Sequence, residues 1–469
     1  MRLHRRSVTS MLLAMPFVTT GVQSASAEAD EALKYYGEAK IDWRQAAGQS
    51  IGIAMDKHPY SASLLPLLPE FKRLTGIEVN YLILPEDQYN TRLPADLSSG
   101  QGQFSVFMTG PMRNWGYVAG DWILPLDGFL ANPKLTDSGW YKLEDFYPGL
   151  ISANRWSGEM GSGVGKGPLY SIPVMEESYI IAYRKDIFDR YHIEVPTTYE
   201  GMAEAARQVK KNAGISGIVA RGTAALPTLG TGYMSGLKSY TNDQWKELNA
   251  KLQADLDDPR VAKYTEMWID MIRESGPSNW SDMQWYDAMD AFAAGQAGMI
   301  ADCDFFAALY EDPSKSKVAG KVGYAMLPPG SDGKTYSGLW TWALGINKAA
   351  KSKEAAWLFV LWATSRRTLL KATVSYRNYN PTRQSIRMDP MVQKTIGPWG
   401  GGSYVTTVEK NLETAKVAWV PEPLLPRLGN IWARSLQDIY FRHASASVAL
   451  KEASLHIDRV FKEAGVTAQ

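Results

Sequence analysis

The chain has 469 residues, enough for two or three domain-sized units, each with apolar sequence for its own core. Its 50 Lys and Arg nearly balance 49 Asp and Glu, which argues against a nucleic-acid or general polyanion binder, because such proteins need a basic excess to displace counterions. The single cysteine, Cys303, excludes an internal disulfide, and five histidines beside it argue against a multi-His or Cys metal centre, so no metal or cofactor is expected.

Arg2, Arg5 and Arg6 precede an apolar run, Met11–Thr19, and Ala25-Ser26-Ala27 offers small residues for cleavage before the acidic Glu28–Asp30. That order is the layout of an export signal over residues 1–27. The run is too short to cross a bilayer core of about 30 Å. Arg5-Arg6 resembles a twin-arginine signal, and no cysteine stands near the cleavage site, so a free periplasmic protein is expected.

Along the mature chain, Glu28–Gln49 reads as a polar helix or arm. Ser50–Met55 and Ile77–Leu84 read as strands, Phe104–Met108 as a third. Helical spacing falls between them, over Ser61–Leu74 and Gln88–Leu97, with Pro66 and Pro69 weakening the first. Strand alternating with helix predicts a mainly parallel sheet, whose ligands sit at the carboxyl ends of the strands. Those ends are Asp56–Tyr60, Pro85–Asp87 and Thr109–Pro111. His58 and Tyr60 are candidates from the first end, and Trp115 from the loop after the third strand, where a lobe-core role fits the tryptophan equally well. Trp122–Phe129 reads as an apolar anchor and turn. Ser157–Gly167 is glycine-rich but lacks the GKS or GKT ending of a phosphate loop, so it reads as a surface loop.

Tyr170–Val195 is the most telling stretch, because the acids Glu176 and Glu177 interrupt the entry to the apolar run Tyr179–Tyr183. Thr198–Asn212 follows as an amphipathic helix, Ile215–Ala220 as a strand, and Asn242–Leu256 and Pro259–Ser275 as helices. Ala288–Ala294 is a further helix, leading into the apolar Ala297–Ala301. Both halves read as α/β.

Three stretches carry a resemblance. Tyr170–Val195 looks like the crossover between the lobes of bacterial extracellular solute-binding proteins of the sugar importer type, similar to maltodextrin-binding proteins. Ala291–Phe306 resembles their helix, small-residue turn and strand. Ser337–Trp362 resembles the return strand and its helix, which Ser352 caps. Tyr376–Thr382 matches the loop before a Pro-Thr helix start, and Val448–Phe461 the terminal helix. The resemblance implies a two-lobed periplasmic-binding-protein fold of type II, with an interlobe cleft and hinge closure around a ligand. It places residues 28–175 and 329–371 in the first lobe, and 176–328 and 372–469 in the second.

It also implies a function: capture of a small carbohydrate or polyol by a monomer, which delivers it to the transmembrane subunits of an ABC permease without chemical change. Glu177 falls at the place of a ligand-contacting glutamate, and Asp302 and Phe305 at those of an acid and a ligand-facing aromatic. Trp340 is the expected stacking platform. Arg377, in a loop rich in hydrogen-bonding residues, and Trp432, from the second lobe, complete the candidates. A hinge ion pair for Glu177, a helix cap for Asp302 or Asp304, a surface place for Arg377 and core packing for the tryptophans are the plainer readings beside these. A charged sugar derivative or an amino compound in the same fold is an alternative ligand. The adjacent acids also invite comparison with glycoside hydrolases, which use two carboxylates, but no GxSxG or HExxH motif is present.

Overall fold

The structure is a computed structural model that describes residues 30–466; the expected export signal lies outside the described residues. Three parallel strands start the first lobe: β1 (Ser50–Asp56), β2 (Glu78–Leu84) and β3 (Val106–Thr109), with β1 in the middle. Helices carry the crossovers. The helix expected over Ser61–Leu74 is two, Pro59–Leu64 and Leu68–Thr75, joined by a 3-10 turn at Leu65–Leu67. Pro66 and Pro69 each lack the N–H that a continuous helix would use.

The acidic crossover is a single long strand, β4 (Ser171–Arg184). Two further strands, β5 (Met299–Cys303) and β6 (Val322–Ala325), pair antiparallel with its second half. Its first half pairs with the last strand, β7 (Leu339–Ile346), which in turn pairs with β3. One sheet therefore runs β2-β1-β3-β7-β4-β5 from lobe to lobe, and β4 is the element both lobes share. The register slips between Pro173 and Met175, where proline has no ladder donor.

Most expected helices form. Thr198 caps Tyr199–Ala213, and Ser352 caps Lys353–Ala363. Every residue from Ala355 to Ala363 is buried, Trp357 and Trp362 included, as suits a helix apolar all round. Pro259–Ser275, Trp285–Ala293 and Ala446–Glu463 also follow the sequence spacing. Ile215–Ala220 does not form a strand: it makes only isolated parallel bridges, Ser216 to Ala297 and Val219 to Ile300. Asn242–Leu256 is not a helix. Asn242, Asp243 and Leu252 have positive φ, and the chain doubles back to wrap Trp245, whose indole donates to the Asp255 carbonyl at 2.7 Å. Burial of Trp245 outweighs the local helical preference.

Residues on both sides of 371 keep contact with elements that the resemblance assigns to the first lobe. Helix Arg366–Tyr376 packs against Pro59–Leu64. Arg383 then donates to the carbonyls of Tyr141, Lys142 and Thr364, all elements of the first lobe. The 3-10 turn Trp399–Gly402 packs on β6, and the helix Ser403–Leu412 on β6 and β4. Among the described residues no helix is long and apolar enough to cross a membrane.

Candidate functional site

Adjacent strand residues face opposite ways, and this alternation separates the two neighbouring acids. Glu177 lies opposite Trp340 in the ladder and shares its face; Glu176 lies opposite Thr341 and faces the other side. Glu176 is fully buried against Arg387 and also accepts from Asn380 at 3.1 Å. Its neighbours there include Asp304, which accepts from the backbone and hydroxyl of Ser178. Burial raises the pKa of Glu176, and of Asp304 well above the carboxylate range.

Glu177 is the centre of the opposite face. One carboxylate oxygen accepts the Trp342 indole N–H at 2.7 Å, with His58 Nε2 3.6 Å away; the other accepts the Cys303 thiol at 3.1 Å. Burial pushes its pKa up, but the contacts with His58, the thiol and Arg221 outweigh that and hold it below the usual value. This carboxylate stays ionised in a nearly dry site.

The first lobe supplies the strand ends. His58 caps helix Pro59–Leu64, accepting the Tyr60 N–H on Nδ1 at 3.4 Å, which leaves Nε2 as its proton-bearing nitrogen towards Glu177. Arg113 starts out from the helix Pro111–Ala119 and lies over the Trp342 ring, 4.5 Å from its centre. It donates to Glu86 at 3.1 Å and stands 3.9 Å from Asp56 Oδ2. Asp56 Oδ2 and Arg113 Nη1 are buried, and neither has a hydrogen-bond partner among the described residues. Burial raises the Asp56 pKa to about 6, against the pull of Arg113. Gly110 makes room for this wall: a Cβ there would stand 2.4 Å from the Trp340 ring.

Rings close the opposite side, Phe305 and Trp285 from the second lobe and Trp342 from β7. Phe305 and Trp342 lie 5.4 and 5.0 Å from His58, centre to centre, and Trp285 lies 6.1 Å from Phe305. The Trp285 indole donates to Glu86 at 3.1 Å, so Glu86 links Arg113 on its own lobe to a tryptophan on the other. Behind the rings, Arg221 holds Asp302 through two hydrogen bonds of 2.9 and 2.6 Å and also reaches the Cys303 sulfur at 3.1 Å.

The expected residues thus divide. His58, Glu177, Phe305 and Trp340 come together. Asp302 is near, but the bidentate Arg221 and the Cys303 N–H occupy its oxygens, so it positions the strand end rather than facing the site. Tyr60 is wholly enclosed in the core, and Trp115 is packed against Trp156. Trp432 is packed among Tyr233, Trp245 and Trp419. Arg377 is on the outside, in a left-handed helix end, donating to the Ala308 carbonyl and paired with Asp312. The site also includes groups not singled out as contacts of a neutral ligand: Asp56, Glu86, Arg113, Arg221, Trp285, Cys303 and Trp342. Three of them carried a signal. Asp56 and Glu86 stand at the carboxyl ends of strands, and Trp342 is two residues from Trp340, hence on its face. Among the described residues no cluster of His, Cys, Asp and Glu is arranged to hold a metal.

Comparison with known proteins agrees with this architecture. The erythritol/L-threitol-binding protein of Mycolicibacterium smegmatis is 32% identical over 414 residues, which cover 87% of this chain and 85% of that protein. A solute-binding protein of an ABC transporter from Agrobacterium vitis, solved with bound D-mannitol, superposes with a TM-score of 0.74 at 25% identity, covering 89% of this chain and 99% of the other. One from Agrobacterium radiobacter K84, solved with ribitol, gives 0.77 at 22% identity, covering 88% and 99%; both have the two-lobed maltodextrin-binding-type fold. Residues 56–368 match the family described as bacterial extracellular solute-binding protein, and the chain belongs to that family.

Proposed function

We propose that this protein captures a short polyol between its lobes, in contact with Asp56, His58, Arg113, Glu177 and Trp340, and hands it unchanged to the membrane subunits of an ABC importer. The observation that carries this reading is that Asp56 Oδ2 and Arg113 Nη1 are buried without a hydrogen-bond partner among the described residues, on side chains that approach each other only to 3.9 Å beside Trp340 and Trp342. A buried acceptor and a buried donor without partners are costly unless a ligand supplies both. A hydroxyl can accept from the guanidinium and donate to the carboxylate, and neighbouring hydroxyls repeat the pattern. Aromatic faces cover the intervening C–H groups.

Most of the site's charged groups already have partners, which leaves Asp56 as the acid open to a ligand hydroxyl. Glu86 is paired with Arg113, Asp302 with Arg221, and Glu177 is satisfied by Trp342, Cys303 and His58. The D-mannitol and the erythritol or L-threitol bound by its relatives are ligands of this kind. The acids that invite a hydrolase are turned apart, Glu176 into the buried Arg387 cluster and Glu177 into the site. Export to the periplasm and action as a monomer complete the reading.

Titration calorimetry with erythritol, threitol, ribitol and mannitol tests it. At least one is expected to bind, with little dependence on salt, because screening acts mainly on charged pairs. Asp56→Asn and Trp342→Phe should each weaken that ligand by about 1.5–3 kcal/mol, a factor of roughly 10–150. Binding of an amino compound or a sugar acid in place of every polyol would discard the ligand class and keep the receptor.

A further inference from the structure

Beyond the polyol contacts, the segment 416–424 touches both lobes close to the strand and the helix that carry Trp340 and Arg113. It begins beside the start of β7: the Leu339 N–H donates to the Lys416 carbonyl at 2.9 Å, one residue before Trp340. Val417 packs with Leu339 against Leu150 of the first lobe. The segment then reaches the first lobe twice more. Gly161 of the glycine-rich loop donates to the Pro421 carbonyl at 2.9 Å, and the Pro423 carbonyl stands 3.5 Å from where a Gly116 Cβ would be. Gly116 is three residues after Arg113 in one helix, so the two share a face about one turn, ~5 Å, apart. The backbone that carries the polyol-facing guanidinium and the Pro423 contact are therefore neighbours along one helix.

The second lobe holds the same segment rigidly. Trp419 packs edge-on against Trp432, which meets Trp245 and Tyr233. The Val420 N–H donates to Glu247, itself paired with the buried Lys238. Glu422 is fully buried and folds back to accept the Leu424 N–H at 2.6 Å. Pro421 and Pro423 fix the backbone between these anchors. A clamped strip of chain thus bridges the two lobes beside the start of β7 and the helix that carries Arg113.

From this we infer that segment 416–424 sets the maximum length of the ligand, admitting a chain of a few carbons near Asp56 and Arg113 and excluding anything that continues past Arg113 along that helix. Its exclusion is steric, so a second sugar ring attached to a fitting polyol should be rejected although the attached polyol makes every contact. The inference rests on the polyol reading of the site.

The test is calorimetry with erythritol, mannitol and maltitol, the last an alditol carrying one additional ring. Wild-type protein should bind one of the first two at least about tenfold more tightly than maltitol, as expected when a pocket built against a larger ligand rejects it by clash. The variant Trp419→Ala/Pro421→Gly/Pro423→Gly should gain maltitol by roughly tenfold while its affinity for the short polyol stays within about threefold. Wild-type protein binding maltitol as tightly as mannitol would overturn the inference whether or not the variant folds. So would a variant that keeps its short polyol and still rejects maltitol. Failure of wild-type protein to bind any of the three strikes the polyol reading itself.

Discussion

Asp56 is placed where its protonation matters. Burial raises its pKa from 3.8 to about 6, so the folded state favours the protonated acid. The sign follows directly: folding gains a proton preference, and the penalty for ionising Asp56 grows as pH rises from about 4 to above 6, reaching roughly 3 kcal/mol. Glu177 behaves oppositely, because its lowered pKa contributes stability that is lost only when pH falls through its folded value. Asp56→Asn should therefore raise the melting temperature of ligand-free protein at pH 8 and change it little at pH 4. A polyol hydroxyl donating to the carboxylate favours the ionised form, so polyol affinity should increase as pH passes 6 in wild-type protein and stay flat in Asp56→Asn. Melting curves and calorimetry across pH 4–8 check both; equal pH slopes in the two proteins would contradict the assignment. His58 was legible as a strand-end residue, but the Arg221–Asp302 pair was not, since nothing in sequence says which acid a distant arginine will occupy.

At the scale of elements, the strands carry the site and the alternation within them decides which neighbours belong to it. That much was readable from the sequence: two adjacent acids precede the apolar run of β4, and β7 places Trp340 and Trp342 on one face. What could not be read is the environment of each face. Glu176 faces Arg387, which arrives from 211 residues further along the chain, and only the folded topology supplies that pairing. The same limit applies to Asn242–Leu256, where long-range burial of Trp245 replaced the expected helix with a loop. Arg387→Met should leave Glu176 and Asp304 as two buried acids with no guanidinium, a change of about 3–5 kcal/mol by analogy with broken buried ion pairs. Both acids have raised pKa values, so the loss should be larger at pH 8 than at pH 5, and adding Glu176→Gln should restore part of it. Thermal unfolding at the two pH values measures this. A purely local packing test is Gly110→Ala. Its Cβ would overlap the Trp340 ring, so the ring must shift, at a cost of roughly 1–3 kcal/mol, and polyol affinity should fall while circular dichroism is unchanged.

For the whole molecule the question is what holds the lobes together, and one polar contact inside the site joins Arg113 and Glu86 to the far wall. Glu86 of the first lobe accepts from Trp285 of the second while it also accepts from Arg113, which joins the ligand-facing guanidinium to the far wall. The two-lobed fold was legible as a whole because its pieces recur in a fixed order along the chain; this link was not, because it joins residues 199 positions apart on elements with no shared pattern. A hydrogen bond from an indole to a carboxylate contributes about 1.5–3 kcal/mol at most, so its loss should move the balance of closed and open ligand-free forms by roughly tenfold or more. Trp285→Phe removes the donor and keeps a ring against Phe305. In small-angle X-ray scattering, ligand-free Trp285→Phe should show a larger radius of gyration than ligand-free wild-type protein. Saturating polyol should bring the two to the same value, at the expense of a weaker apparent affinity in the variant, because binding must then supply the closure that Glu86 and Trp285 supply in the wild type. Identical radii without ligand would show that the indole contact contributes nothing to closure, and the hold on the lobes would then fall to the Gly161 and Pro421 contact at the other end of the cleft.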